Sequence, residues 1–234
     1  MNHIIANWKM NLSINEARKL CENIDENVII APPMPYLAQL ILEFNSRPFA
    51  AQDVSKISGY GSFTGEVSAE LLSKIGTKYA IIGHSERRQH LSERPDDIKT
   101  KAKNCIATGI IPIICIGENE EARKNGTYMD YIESEVTASI PNLDGYILAY
   151  EPLWSIGTGK AANVLELQEV FSHIKDFTIA KPLALVYGGS INSDNVSEII
   201  SVQEIDGLLI GKSSLDADEL NKIARIWRRK FGEA

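Results

Sequence analysis

Residues Tyr146–Lys160 read YILAYEPLWSIGTGK. The run Tyr146–Tyr150 is apolar or aromatic at every position, and it stops on a carboxylate, Glu151. A strand with no polar residue in alternation is buried on both faces, the condition of a parallel strand roofed by helices rather than of a hairpin with one wet side. Pro152, Trp154, Gly157 and Gly159 follow at once. Proline stiffens one hinge and glycines free the other, so this segment is built to bend. Either Glu151 is an ordinary solvated acid at a strand end, or a base is delivered to the mouth of a buried sheet beside its own cover.

Similar runs recur at Ile4–Trp8, Val28–Ala31, Phe49–Gln52, Tyr79–Gly83, Ile110–Ile116, Leu183–Tyr187 and Leu208–Ile210. Between them the apolar period is helical. Leu20, Cys21 and Ile24 follow Ala17 at helical spacing, and Ser13 with Glu16 just before reads as a capping box. Leu220, Ile223, Ala224 and Trp227 mark a last helix; Leu71, Leu72 and Ile75 line another that Gly76 can end. Eight such units without a linker or compositional break predict an α/β fold. Its expected form is a (β/α)8 barrel, eight parallel strands surrounded by helices, as one domain over residues 1–234. An open doubly wound sheet is the alternative.

The chain carries 24 Lys and Arg against 31 Asp and Glu, a net charge of −7, which argues against a general nucleic-acid or anionic-membrane binder. An anionic ligand would need a locally positive site. The three cysteines, Cys21, Cys105 and Cys115, lie in apolar runs and suit reduced core thiols better than a disulfide framework. They lack the paired spacing of a structural zinc site. No apolar stretch reaches the length of a membrane span. The expectation is a soluble, cytoplasmic protein.

In a barrel of this type the site gathers at the carboxyl ends of the strands. Those ends carry Asn7 and Lys9 (NWKM), His84 and Glu86 (GHSERR), Glu151 (YEP), Gly189 and Ser190 (YGGS), and Gly211 and Lys212 (GKSS). Each has a commonplace use: a solvated lysine, a histidine bonded at a helix start, a serine or glycine cap. Together they place a base, an acid/base imidazole, a cation and two anion cradles on one predicted face. The long connection Asp53–Glu66, with Tyr60 and Phe63, suits a functional or interface loop; the alternative is a loop folded on its own barrel.

The fragments ANWKMN, GSFTGE, GHSERR, AYEPLWSIGTGK, YGGSI and GLLIGKSSL, in this order from residue 4 to about residue 215, resemble the triosephosphate isomerase family. The resemblance implies a homodimer that interconverts dihydroxyacetone phosphate and D-glyceraldehyde 3-phosphate in glycolysis and gluconeogenesis. It implies no cofactor and no metal, and no nicotinamide, flavin or metal motif stands out. Glu151 would pass a proton between adjacent carbons through an enediolate, with His84 a neutral electrophile; these roles belong to the family's well-known mechanism rather than to a reading of these residues. Lys9 would stabilise oxyanion charge, Asn7 would orient the same edge, and Glu93 would be a buried supporting acid. Gly157, Ser190, Gly211 and Lys212 would hold the phosphate by backbone N–H groups, under a lid loop that contributes Trp154 and Ile156 as cover. The loop from Asp53 to Glu66 would insert into a partner subunit, with Thr64 reaching the partner's Asn7 and the partner's Lys9. Two positions depart from the family: Lys212 stands where a glycine is usual, and Asp53 where an asparagine is usual. A side chain at Lys212 would be strained if its φ were positive. Asp53 would lie at the subunit interface, where its charge would make association more pH-dependent.

Overall fold

Eight strands run parallel in a ring: β1 (His3–Asn7), β2 (Ile29–Ala31), β3 (Ala50–Ala51), β4 (Tyr79–Ile82), β5 (Ile111–Ile116), β6 (Ile147–Tyr150), β7 (Ala184–Tyr187) and β8 (Gly207–Ile210). The structure, a computed structural model, describes residues 3–155, 162–178 and 180–231. Neighbours in the sheet follow the order β2-β1-β8-β7-β6-β5-β4-β3. Ile30 bridges Phe49 in parallel, and the Ile30 N–H donates to the Pro48 carbonyl at 3.0 Å, joining β2 to β3. That contact brings the two ends of the sheet together, so the barrel is found and the open sheet is not.

Alternation sorts each strand into two sets of side chains. Ile5, Ile29, Ile81, Ile113, Ile147 and Val186 fill the interior together with Cys115 and Ala149. Ile4, Ala6, Ile30, Ile82, Ile114, Leu148 and Leu208 join the larger core shared with the helices. Both sets are buried, which is why these strands read as unbroken apolar runs. Parity then aims the polar ends. Asn7 continues the inward set of Ile5, and Glu151 continues that of Ile147 and Ala149, so both point into the mouth of the barrel.

The helix Ile14–Asn23 begins as expected: Ser13 Oγ accepts the Glu16 N–H at 3.4 Å, and Glu16 Oε2 accepts the Ser13 N–H at 2.7 Å. It buries Ala17, Leu20 and Cys21, and the last helix, Ala217–Arg228, buries Leu220, Ile223, Ala224 and Trp227. One helix differs from its expected face. Ala69–Lys74 is six residues long and buries Ala69 and Leu72, leaving Leu71 and Ile75 41% and 38% exposed. A helix this short has one i, i+3 stripe, and the barrel took Ala69 with Leu72. Among the described residues no helix is long and apolar enough to cross a membrane.

Candidate active site

β4 hands over to the helix Ser85–Leu91 through Gly83, whose φ of +68° is open to glycine at little cost. This turn sets His84 as the cap of that helix, with Nδ1 accepting the Glu86 N–H at 3.2 Å. A ring nitrogen that accepts a hydrogen bond carries no proton, so the imidazole hydrogen lies on Nε2. His84 Nε2 is 3.2 Å from Glu151 Oε1, and the Ser85 N–H donates to Glu151 Oε2, also at 3.2 Å. The two side chains are 7% and 2% exposed, so the carboxylate meets protein donors at the buried floor of the site. Gly188 makes the room: a Cβ there would stand 2.8 Å from Glu151 Cγ.

Lys9 has a φ of +52°, the left-handed region in which a side-chain-bearing residue is strained. Its neighbours hold it there. The Lys9 N–H donates to Asn7 Oδ1 at 3.0 Å, and the Gln52 amide donates to the carbonyls of Lys9 and Ala31 at 2.8 and 2.9 Å. Lys9 Nζ pairs with Glu86 Oε1 at 2.6 Å.

These groups share one cavity of about 720 Å³, whose lining includes Asn7, Lys9, His84, Glu151, Ser190, Gly211 and Lys212. Gly157 and Ile156 lie outside the described residues. Lys212 opens a 3-10 turn, Lys212–Leu215, and is not among the residues of positive φ, so its side chain is free of the strain considered above.

Trp154 is tied to the loop that follows β5. Its indole N–H donates to Glu118 Oε1 at 2.8 Å, the Tyr150 hydroxyl donates to the same oxygen at 3.1 Å, and Arg123 Nε lies 3.2 Å from it. An indole N–H requires an acceptor, and the fully buried Glu118 supplies one on the helix side of the barrel wall. Trp154 therefore anchors the start of the segment that follows Glu151. Burial, then the Glu118 charge, push the Tyr150 phenol well above its ordinary value, so it serves as a donor. Burial also raises the Tyr187 phenol. The Ser190 N–H, expected to hold phosphate, donates to Ser155 Oγ at 3.3 Å.

Asp53 lies in an ionic cluster within its own chain. Lys101 Nζ is 2.7 and 3.0 Å from its two oxygens, and Arg87 is 2.8 Å from one of them. Burial lifts the Asp53 carboxyl above the ordinary aspartate value, against the pull of Lys101 and Arg87. Glu93, 5% exposed, completes the cluster through Lys101 and Arg87. The loop that begins at Asp53 does not fold onto its own barrel at its tip: Tyr60 and Phe63 are 69% and 49% exposed, and Thr64 is exposed. Beside the site a second hollow of about 740 Å³ includes Lys9, Met10, Glu86, His90 and Leu91 in its lining.

Gln52, Glu118 and Gly188 escape the sequence reading. Glu118 carried a usable signal, an acid two residues beyond the end of β5. Gln52 acts through its side-chain amide on the carbonyls of Lys9 and Ala31, and Gly188 through the space it leaves beside Glu151 at the end of the neighbouring strand, contacts that only the tertiary structure brings about.

Comparison with known proteins agrees with this geometry. The family model described as triosephosphate isomerase matches residues 2–227. The chain is 40% identical over 240 residues to a triosephosphate isomerase of Orientia tsutsugamushi (strain Boryong), covering 95% of this chain and 96% of that protein. It is 36% identical over 247 residues to one of Corynebacterium glutamicum, covering 94% and 95%. The crystal structure of triosephosphate isomerase from Bartonella henselae superposes with a TM-score of 0.85 at 28% identity, covering 97% of this chain and 99% of that one. A family match that spans the barrel from end to end agrees with what the strand ends assemble: the chain belongs to the triosephosphate isomerase family.

Proposed function

We propose that the protein interconverts dihydroxyacetone phosphate and D-glyceraldehyde 3-phosphate, with Glu151 as the base that moves the proton. The observation that carries this is the buried contact between Glu151 and His84 at the mouth of the barrel, 3.2 Å long, with Lys9 lining the same cavity. Glu151 takes the proton from one carbon and returns it to its neighbour, and the intermediate is an enediolate. His84 presents an N–H, not a lone pair, toward the cavity side, which suits donation to the substrate oxygens. Lys9 stabilises the charge that develops on those oxygens, and Asn7 orients the same edge. To do so Lys9 exchanges its bond to Glu86 for the substrate, and Glu151 likewise gives up Ser85 and His84.

The phosphate rests on backbone N–H groups of Ser190, Gly211 and Lys212, with Gly157 closing from the lid. Ser190 releases Ser155 as it binds. Holding the nonreacting phosphate lets its binding energy drive closure, which excludes water from the enediolate. The protein works in the cytoplasm, in glycolysis and gluconeogenesis, as a homodimer of single-domain barrels. The exposed Tyr60, Phe63 and Thr64, together with the hollow beside Lys9, support a loop that enters a partner.

The test is a coupled assay of glyceraldehyde 3-phosphate isomerisation. Glu151→Gln is expected to lower kcat by about 10²–10⁴-fold, the range that a positioned base contributes. A correctly folded wild-type protein without turnover would remove the isomerase, and a Glu151→Gln variant as fast as wild type would remove the base.

A further inference from the structure

The cations in the lining of the cavity are Lys9 and Lys212, and the carboxylates are Glu151, Asp216 and Glu219. Lys9 is committed to Glu86 at 2.6 Å. A Cβ on Gly211 would lie 3.7 Å from Lys9 Nζ, so Lys9 reaches the residue directly before Lys212. The two ammonium-bearing residues therefore meet the cavity at one place. Asp216 and Glu219 are engaged by backbone groups: Asp216 Oδ1 accepts the Glu219 N–H at 2.9 Å, and Glu219 Oε1 accepts the Ser193 N–H at 2.6 Å. Lys212 is exposed, and among the described residues no ion pair engages it.

We propose that the Lys212 ammonium, and not only its backbone N–H, recognises the phosphate, and that it sets the affinity of the site for the dianionic end of the substrate. This rests on the isomerase reading and deepens it. The physical need is local. The chain carries a net charge of −7, and Asp216 and Glu219 line this cavity along with Glu151. An approaching dianion is repelled by these carboxylates unless a cation stands with them. Backbone N–H groups supply direction and short range, whereas an ammonium acts over the distance at which the dianion first arrives. Held about 6 Å from a dianion in a solvent-like dielectric, a unit charge is worth about tenfold in affinity. Screening at physiological ionic strength reduces this to about threefold. Salt dependence is therefore the signature of the side chain.

The experiment compares wild type with Lys212→Gln, which keeps the Cβ and the N–H but removes the charge, and with Lys212→Arg, which restores it. KM and kcat for glyceraldehyde 3-phosphate, and the inhibition constant of inorganic phosphate, are measured at low and high ionic strength, about 0.02 and 0.3 M. The expected result for Lys212→Gln is a joint rise of KM and the phosphate inhibition constant at low salt, about three- to tenfold, with the effect falling on KM rather than kcat. The dependence of both constants on salt becomes shallower, and Lys212→Arg returns them toward wild type. Constants and salt slopes equal to wild type in Lys212→Gln would overturn the proposal. So would a rise in KM that Lys212→Arg fails to restore, because that marks a disturbed backbone. If the wild type shows no turnover, the isomerase reading fails by itself. Calorimetric titration of inorganic phosphate into wild type and Lys212→Gln then still decides the role of the ammonium.

Discussion

At residue 188 the space left by a missing methyl group holds the base in place. A Cβ at Gly188 would lie 2.8 Å from Glu151 Cγ and 3.4 Å from Oε1, and the first distance is closer than such atoms approach. Gly188→Ala must therefore displace the carboxylate or the strand beneath it. Because a shift of about 1 Å at a reacting group costs on the order of 10² in rate, kcat is expected to fall by about that factor. Steady-state kinetics beside a melting curve check this; a loss confined to KM would show that the carboxylate had not moved. Lys9 shows the converse. Its left-handed backbone is held by Asn7, two residues away, and by Gln52 from the loop after β3, so the strain is local and half of its support is not. The residue types at both places are legible in the sequence. The close contacts are not, because they join β6 to the loop after β7 and β1 to β3.

Between elements, the cluster of Asp53, Arg87, Glu93 and Lys101 ties the loop after β3 to the helix Ser85–Leu91 and to the helix Pro95–Ala107. Burial raises the Asp53 carboxyl, so the folded chain holds that proton to a higher pH than the unfolded chain does. The folded state binds more protons in that window. Its contribution from this group is greatest at and below the ordinary aspartate range, about 4, and is lost as pH rises through the raised value. Asp53→Asn removes the group, and the urea midpoint measured at one protein concentration is expected to fall less steeply with pH above about 4. Superimposable slopes in the two proteins would contradict the burial argument. Elements also differ in how far they could be read. The Ser13–Glu16 cap was legible because its bonds span three residues. The face of Ala69–Lys74 was not, because the barrel surface chose it from a short apolar run.

For the whole molecule the open question is the loop that leaves it. Phe63 is 49% exposed at the tip of a connection whose aromatics find no pocket on their own barrel. If the loop enters a second copy, Phe63→Glu buries a charge there. Association is then expected to weaken by about 30-fold or more, the cost of losing an anchor worth about 2 kcal/mol. Sedimentation velocity across a concentration series reads this, and an unchanged equilibrium would take Phe63 out of the interface. At this scale the sequence alone determined eight parallel strands covered by helices, through unbroken apolar runs that a sheet with one wet face does not give, and it determined which strand ends carry Asn7, Lys9, His84, Glu151, Ser190, Gly211 and Lys212. Both follow from the period of the backbone, which is a local property. Closure of that sheet into a ring came from the Ile30–Phe49 contact. Only the tertiary structure decided that His84 Nε2 faces Glu151, that Glu118 takes Trp154, and that Asp53 is neutralised within its own chain. Those pairings join residues distant in the chain, and closure of the ring, not any local pattern, sets the distances between them.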